Sequence, residues 1–158
     1  MTDLHLVLVH PEIPWNAGSV GRTCLALGAE LHLVQPLGFA LDARSIRRSG
    51  LDYWRHVHLT VHESFASLER VLADLGEPWF LSAKGGFALW GLPLKPPAVF
   101  VLGGESRGLP VAVREKYTGR TVHIPQDHKY VRSLNLSTAA AIAAYEFRRR
   151  FPAGIDAR

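Results

Sequence analysis

Three stretches of this 158-residue chain carry side chains able to bind or polarise a ligand at the corners between elements, two of them together with glycine. IPWNAGSVGRT (residues 13–23) carries Asn16, two glycines and Arg22; VLGGESRGLP (101–110) carries Gly103, Gly104, Glu105 and Gly108; RSLNLSTAAAIAAYE (132–146) opens on Ser133, Asn135, Ser137 and Thr138. Glycine at a strand end lets main-chain N–H and C=O groups approach a flat, adenosine-like group closely. An arginine near the amino end of a helix opposes the helix dipole unless it meets an anion, which suits Arg22 to phosphate. Glu105 is either a surface acid or an anchor that accepts backbone N–H bonds. A helix cap accounts for one of the residues at 133–137, and the surplus points to ligand contacts. Three such corners suggest one pocket.

The elements around these corners set where that pocket must lie. Residues 4–9 form a short apolar run stopped at His10-Pro11, as expected of an interior parallel strand. A helix follows from Asn16, read as its N-cap, with Val20, Cys24 and Leu27 at helical spacing and Gly28 as its stop. Arg22, six positions on, projects from the second turn. Further strands are expected at 30–34, 57–61, 79–82, 98–102 and 121–124. Helices are expected at 45–48, from a Ser64 cap through Leu75 to Gly76, at 110–116, and at 136–150. This alternation predicts an α/β fold, a mostly parallel sheet with helices on both faces. Ligands in such sheets sit beyond the carboxyl ends of the strands, which collects the corners after Val9, Ser82, Leu102 and Ile124.

Length fits a single domain, residues 1–158, and no linker, repeat or shift in composition marks a separate RNA-binding domain. Eighteen Lys+Arg, only four of them lysine, against 14 Asp+Glu leave a charge of +4 dominated by arginine, which mildly favours an RNA or nucleotide partner, with ordinary solubility charge an equal alternative. Cys24 stands alone, so neither a disulfide nor a cysteine zinc site is expected. His56, His58 and His62 lack ligand spacing, and no metal is expected. Arg148, Arg149 and Arg150 complement the carboxyl end of the last helix or add to an RNA-facing surface. No run approaches the roughly 18 apolar residues of a membrane span, and no basic leader precedes the first apolar run, so a cytoplasmic location is expected. Neither GxGxxG nor a Walker GxxxxGK[ST] pattern is present, which counts against a dinucleotide or P-loop enzyme.

Taken in order, IPWNAGSVGRT, LGGESRGLP and IPQDHKYVRSLNLSTAAAIAAYE resemble the three signature motifs of the SPOUT class of RNA 2'-O-ribose methyltransferases. PLGFALDARSIRRSGLDYW (residues 36–54) resembles a segment of the minimal bacterial tRNA (cytidine(34)-2'-O)-methyltransferases. The resemblance covers nearly the whole chain; Gly104 departs from the more usual Pro, Ala or Ser, and KYVRS from the more usual turn before Leu134. It implies a C-terminal deep trefoil knot, a homodimer with the active site at the subunit interface, and a tRNA substrate, with no DNA and no membrane partner. It implies S-adenosyl-L-methionine as cofactor, held by Leu81, Gly103, Ile124, Ser133 and Leu134, with S-adenosyl-L-homocysteine as product.

On this resemblance the wobble ribose 2'-hydroxyl attacks the sulfonium methyl in line, and positioning is the main task. Arg22 is the residue the family pattern ties to hydroxyl activation. Because a guanidinium is a poor proton acceptor, gripping the neighbouring phosphate is the better role. Asn16 is expected to orient Arg22 or the ribose, Glu105 to brace the middle loop, and Asn135 to support the cofactor pocket. The same chemistry on another tRNA position or on rRNA, and a non-catalytic RNA-binding module of the same fold, are the competing readings. Arg44, Arg47, Arg48, Arg55 and Lys129 are candidate RNA-surface residues.

Overall fold

A computed structural model describes residues 2–42, 44–45 and 52–152, and all structural statements below refer to these. The sheet grows outward from β1 (Leu4–Val9), whose six residues are all buried because parallel neighbours flank it on both sides. Seven parallel strands follow the order β3-β2-β1-β6-β4-β7-β5: β2 (Glu30–Val34), β3 (Leu59–His62), β4 (Glu77–Leu81), β5 (Phe87–Ala88), β6 (Ala98–Gly103) and β7 (Thr121–His123). Four helices cover the two faces: α1 (Pro14–Leu27), α2 (Phe65–Leu75), α3 (Val111–Lys116) and α4 (Leu136–Arg150). The expected α/β sheet is therefore present.

Alternation along β1 divides the core. Leu4, Leu6 and Leu8 pack with Val20, Cys24 and Leu27 of α1 and with Ala140, Ala143, Ala144 and Phe147 of α4. Val7 and Val9 face the other way, onto Leu68 and Leu72 of α2 and Val113 of α3. The small residues of α4 let it lie directly against α1 and the sheet, while Tyr145 on its far side is exposed. Burial drives the Cys24 thiol up to about 12, so it stays a neutral core side chain.

Local rules set most boundaries. Ser64 caps α2 and exchanges hydrogen bonds with Ser67 in a capping box. α1 stops at Gly28, which adopts the left-handed conformation at φ 62°, where the Gly28 and Ala29 N–H groups reach the Leu25 and Cys24 carbonyls. Two expectations fail here. α1 begins at Pro14 with Ile13 as its cap residue, so Asn16 is not a cap and its amide is free for other partners. The third strand lies at Leu59–His62 rather than 57–61, preceded by a 3₁₀ turn over Asp52–His56. Trp54 and Val57 fold over Gly21 of α1 instead of extending the strand. The expected basic helix at 45–48 lies mostly outside the described residues, as do Arg47 and Arg48.

Two of the three terminal arginines, Arg148 and Arg150, turn inward. Arg148 is buried, clasps both Asp3 carboxylate oxygens at 2.7 Å, and donates from Nε to the Leu27 carbonyl. Arg150 donates to the carbonyls of Leu89, Trp90 and Leu92 and to Glu146. Arg149 also engages Glu146, with its side chain largely exposed. No helix among the described residues is long and apolar enough to cross a membrane.

Candidate active site

The carboxyl ends of β4, β6 and β7 open into a cleft of about 490 Å³, within the usual range for small-molecule sites. Its walls include Leu81 from β4, Gly103, Gly104 and Glu105 from the end of β6, Ile124 just past β7, and Ser133, Leu134 and Asn135 leading into α4. Asn16 completes it from α1. Eight of the nine residues singled out in the sequence therefore converge, although they come from five separate stretches of chain.

Glycine at 103 has a steric reason. A Cβ there would stand 2.0 Å from both the Gly108 carbonyl carbon and the Leu109 nitrogen, so only a bare backbone lets the 104–108 loop fold back across the strand end. That return is closed by a Gly104–Gly108 bridge, with the Gly108 N–H donating to the Gly104 carbonyl at 2.9 Å.

Glu105 is an anchor and not a free surface acid. Its carboxylate accepts from the backbone N–H of Glu12 at 2.7 Å and of Ile13 at 3.1 Å, and from the Asn16 side-chain amide at 3.1 Å. The acid at 12 returns the favour: Glu12 accepts from the Ser106 hydroxyl at 2.6 Å and the Ser106 N–H at 3.2 Å. Those two bonds hold the Glu12 carboxyl below its ordinary range. Each loop thus clasps the other's backbone, a reciprocal arrangement the sequence reading missed because Glu12 lies outside every glycine-bearing run.

Asn16 passes the network onward. Its Oδ1 accepts from the Asn135 amide at 3.1 Å, joining α1 to the start of α4. Asn135 is also the N-cap of α4: its Oδ1 accepts from the Ser137 and Thr138 N–H groups and the Ser137 hydroxyl. Capping therefore absorbs Asn135, Ser137 and Thr138, and the expected surplus of ligand-facing polar groups reduces to Ser133.

Arg22 stands apart. It is exposed two turns along α1, its guanidinium 4.9 Å from the centroid of the Tyr53 ring, and it does not line the cleft. Tyr53 is fixed by donating its hydroxyl to the Gly18 carbonyl at 3.0 Å, so the cation rests on a braced surface. Among the described residues Arg22 has no hydrogen-bond or ion-pair partner. Arg107, Arg114 and Gln126 line the cleft and were not anticipated. Arg107 and Arg114 also border an adjoining cavity of about 720 Å³, lined further by His10, Glu12 and residues 36–38. His10 adopts φ 54°, an uncommon conformation for a non-glycine residue, and its Nδ1 is buried without a partner.

Comparison with known proteins bears on this geometry. The sequence profile of the SpoU rRNA Methylase family matches residues 3–145. A tRNA (cytidine(34)-2'-O)-methyltransferase of Methylovorus glucosotrophus (strain SIP3-4) is 41% identical over 143 residues, spanning 89% of this chain and 91% of its own. A structure solved to address 2-OH methylation of C/U34 on tRNA is 45% identical, with a TM-score of 0.85 covering 94% of this chain and 97% of that one. The SpoU methyltransferase AviRb from Streptomyces viridochromogenes, in complex with AdoMet, shares the fold at 24% identity, with a TM-score of 0.80 over 98% of this chain and 60% of that one.

Proposed function

This chain belongs to the SpoU rRNA methylase family, and on that premise we propose that it is an S-adenosyl-L-methionine-dependent tRNA 2'-O-ribose methyltransferase acting on the wobble cytidine or uridine 34 of tRNA-Leu. The observation that carries the reading is the convergence of Leu81, Gly103, Ile124, Ser133 and Leu134 on one cleft at the carboxyl ends of the strands. A cofactor of this size fits the space. Leu81, Leu102, Ile124 and Leu134 offer apolar walls for an adenine ring, and the absence of a side chain at Gly103 keeps the strand end open.

When bound, S-adenosyl-L-methionine supplies an electrophilic sulfonium methyl, leaving S-adenosyl-L-homocysteine after transfer. The chain's own contribution is placement. The Glu12–Glu105–Asn16–Asn135 network holds three loops in one register, so the cleft need not reorganise when ligand enters. Arg22 grips the phosphate beside the target ribose and offsets the negative charge that grows on the 2'-oxygen, and that phosphate relays the departing proton to solvent. A guanidinium is not deprotonated in proteins, so Arg22 is a clamp and not a base.

The position of Arg22 outside its own cleft supports a two-subunit site, with Arg22 reaching the cleft of a second copy. Exposed Trp15 and Tyr145, on the adjoining helices α1 and α4, give that homodimer an apolar surface to bury. Arg107 and Arg114, on the rim between the two cavities, supply positive charge where RNA enters. The same reading includes threading of the C-terminal segment as a trefoil knot, supported by Ile124, Gln126, Ser133, Leu134 and Asn135 lining the cleft together with the 103–109 loop. It also places the protein in the cytoplasm, where its tRNA substrate resides.

The test is transfer of labelled methyl from S-adenosyl-L-methionine to unmodified tRNA-Leu, with the product digested and mapped by mass spectrometry. Ribose methylation at nucleotide 34 is expected. Methylation of another position or of rRNA would overturn the substrate, and donor binding without transfer to any RNA would overturn the activity.

A further inference from the structure

At the opposite end of the sheet from the cleft, three side chains from β1 and β2 point their ligand atoms at one spot. The parallel register sets His5 beside Glu30, with His32 two residues further along the same face of β2. His5 Nδ1 lies 3.1 Å from His32 Nε2; Glu30 Oε2 lies 3.6 Å from the first and 3.9 Å from the second. Ligand atoms bonded to a tetrahedral zinc at about 2.0–2.1 Å are separated from one another by about 3.4 Å. We propose that His5, His32 and Glu30 form a binding site for a first-row divalent transition metal, zinc by its spacing, with a fourth position open toward solvent.

The surrounding groups fit that assignment. His32 Nδ1 is 3.1 Å from His62 Nε2, so donation of the Nδ1 proton to His62 leaves His32 Nε2 bare and turned toward the site. The free Glu30 oxygen is held as well: the Thr2 hydroxyl donates to Oε1 at 2.8 Å, leaving Oε2 for the ion. Ligating histidines and carboxylates in metal sites are held by outer partners in this way. His5 and His32 are almost wholly buried whereas Glu30 is about one-third exposed, which provides both a low-dielectric seat and an entry path. Two imidazoles and one carboxylate suit zinc or another late first-row ion and not magnesium or calcium, which take oxygen ligands. The site ties β1 to β2 far from the cleft, so its effect is on stability.

The competing arrangement is a plain hydrogen-bonded ladder, His5 to His32 to His62, with no affinity for metal. The two are separated by titrating the full, chelator-treated chain with Zn²⁺ in a calorimeter and with Co²⁺ by visible absorption. One equivalent per chain is expected, with the intense ligand-field bands of four-coordinate Co²⁺ and a melting temperature that rises with free Zn²⁺. Glu30→Gln is isosteric at a partly exposed position and should fold. It should weaken Co²⁺ and Zn²⁺ at least tenfold and abolish the thermal shift. His62→Gln should weaken the metal by about tenfold through His32 alone. Absence of saturable binding to the parent chain, or binding and bands untouched by E30Q, would overturn the proposal. If H62Q does not fold, E30Q decides.

Discussion

Replacing Glu105 by Gln probes the joint between two loops with the smallest change of shape. The carboxylate accepts three hydrogen bonds, two of them through Oε1, from Ile13 N–H and the Asn16 amide, and one through Oε2, from Glu12 N–H. An amide can satisfy at most one side. With its oxygen kept toward Ile13 and Asn16, its NH₂ confronts the Glu12 N–H, so one charge-assisted bond is lost and the other two become neutral. A hydrogen bond to a charged group contributes about 1.5–3 kcal/mol. Because Glu105 is only half-buried, the lower part of that range applies, and a loss of about 2 kcal/mol is expected. For a domain of this size that lowers the melting temperature by about 4–8 °C. Affinity for S-adenosyl-L-methionine, read by calorimetry, should fall at least tenfold, because the 103–109 loop loses its hold on residues 12–16. The reciprocal variant, Glu12→Gln, should show a smaller shift, since Glu12 is exposed. A melting temperature within a degree of the parent, together with unchanged donor affinity, would refute the idea that this clasp holds the cleft.

Other outcomes follow from the same geometry. Gly103→Ala forces a methyl onto the backbone at 108–109, and should cost about 1–3 kcal/mol of stability and remove measurable donor binding. Arg22→Ala and Arg22→Lys should each abolish methyl transfer while leaving donor affinity as it is; activity retained in both would remove Arg22 from the mechanism. Arg148→Met strands the Asp3 carboxylate and the Leu27 carbonyl, and denaturant unfolding should show a loss of about 3 kcal/mol or more. The Glu146 carboxyl is held below its ordinary range by Arg149, against the opposing effect of burial, with further help from Arg150. Its contribution is therefore present above the unfolded value of 4.5 and lost as pH falls below it, so Glu146→Gln should flatten the acid limb of a melting-temperature profile.

Where periodicity and punctuation act locally, the chain could be read directly. β1, β2 and α4 fall at the expected residues, and the Ser64 cap and Gly28 stop hold because each is decided by its nearest neighbours. β5, two residues long, is too short to carry a period, and its existence depends on pairing with β7. The cleft residues were legible through family resemblance and through the rule that places ligands beyond strand ends. The partner of Glu105 was not, since nothing near residue 105 encodes a backbone 93 positions away. The histidine and glutamate cluster escaped notice for the same reason: His5 and His32 are 27 positions apart and meet only through strand register. The absence of motif spacing along the chain was a poor guide to what a parallel sheet brings side by side.

The bonds from Asn16 to Glu105 and from Asn135 to Asn16 close spans of 89 and 119 positions. A cleft tied across such spans depends on non-local contacts, so a fragment lacking either partner of these bonds cannot present it whole. Recognition of the methyl donor is thus reserved for finished molecules, and by mass action the donor in turn protects them: at a hundredfold excess over its dissociation constant, it deepens the native basin by about 2.7 kcal/mol.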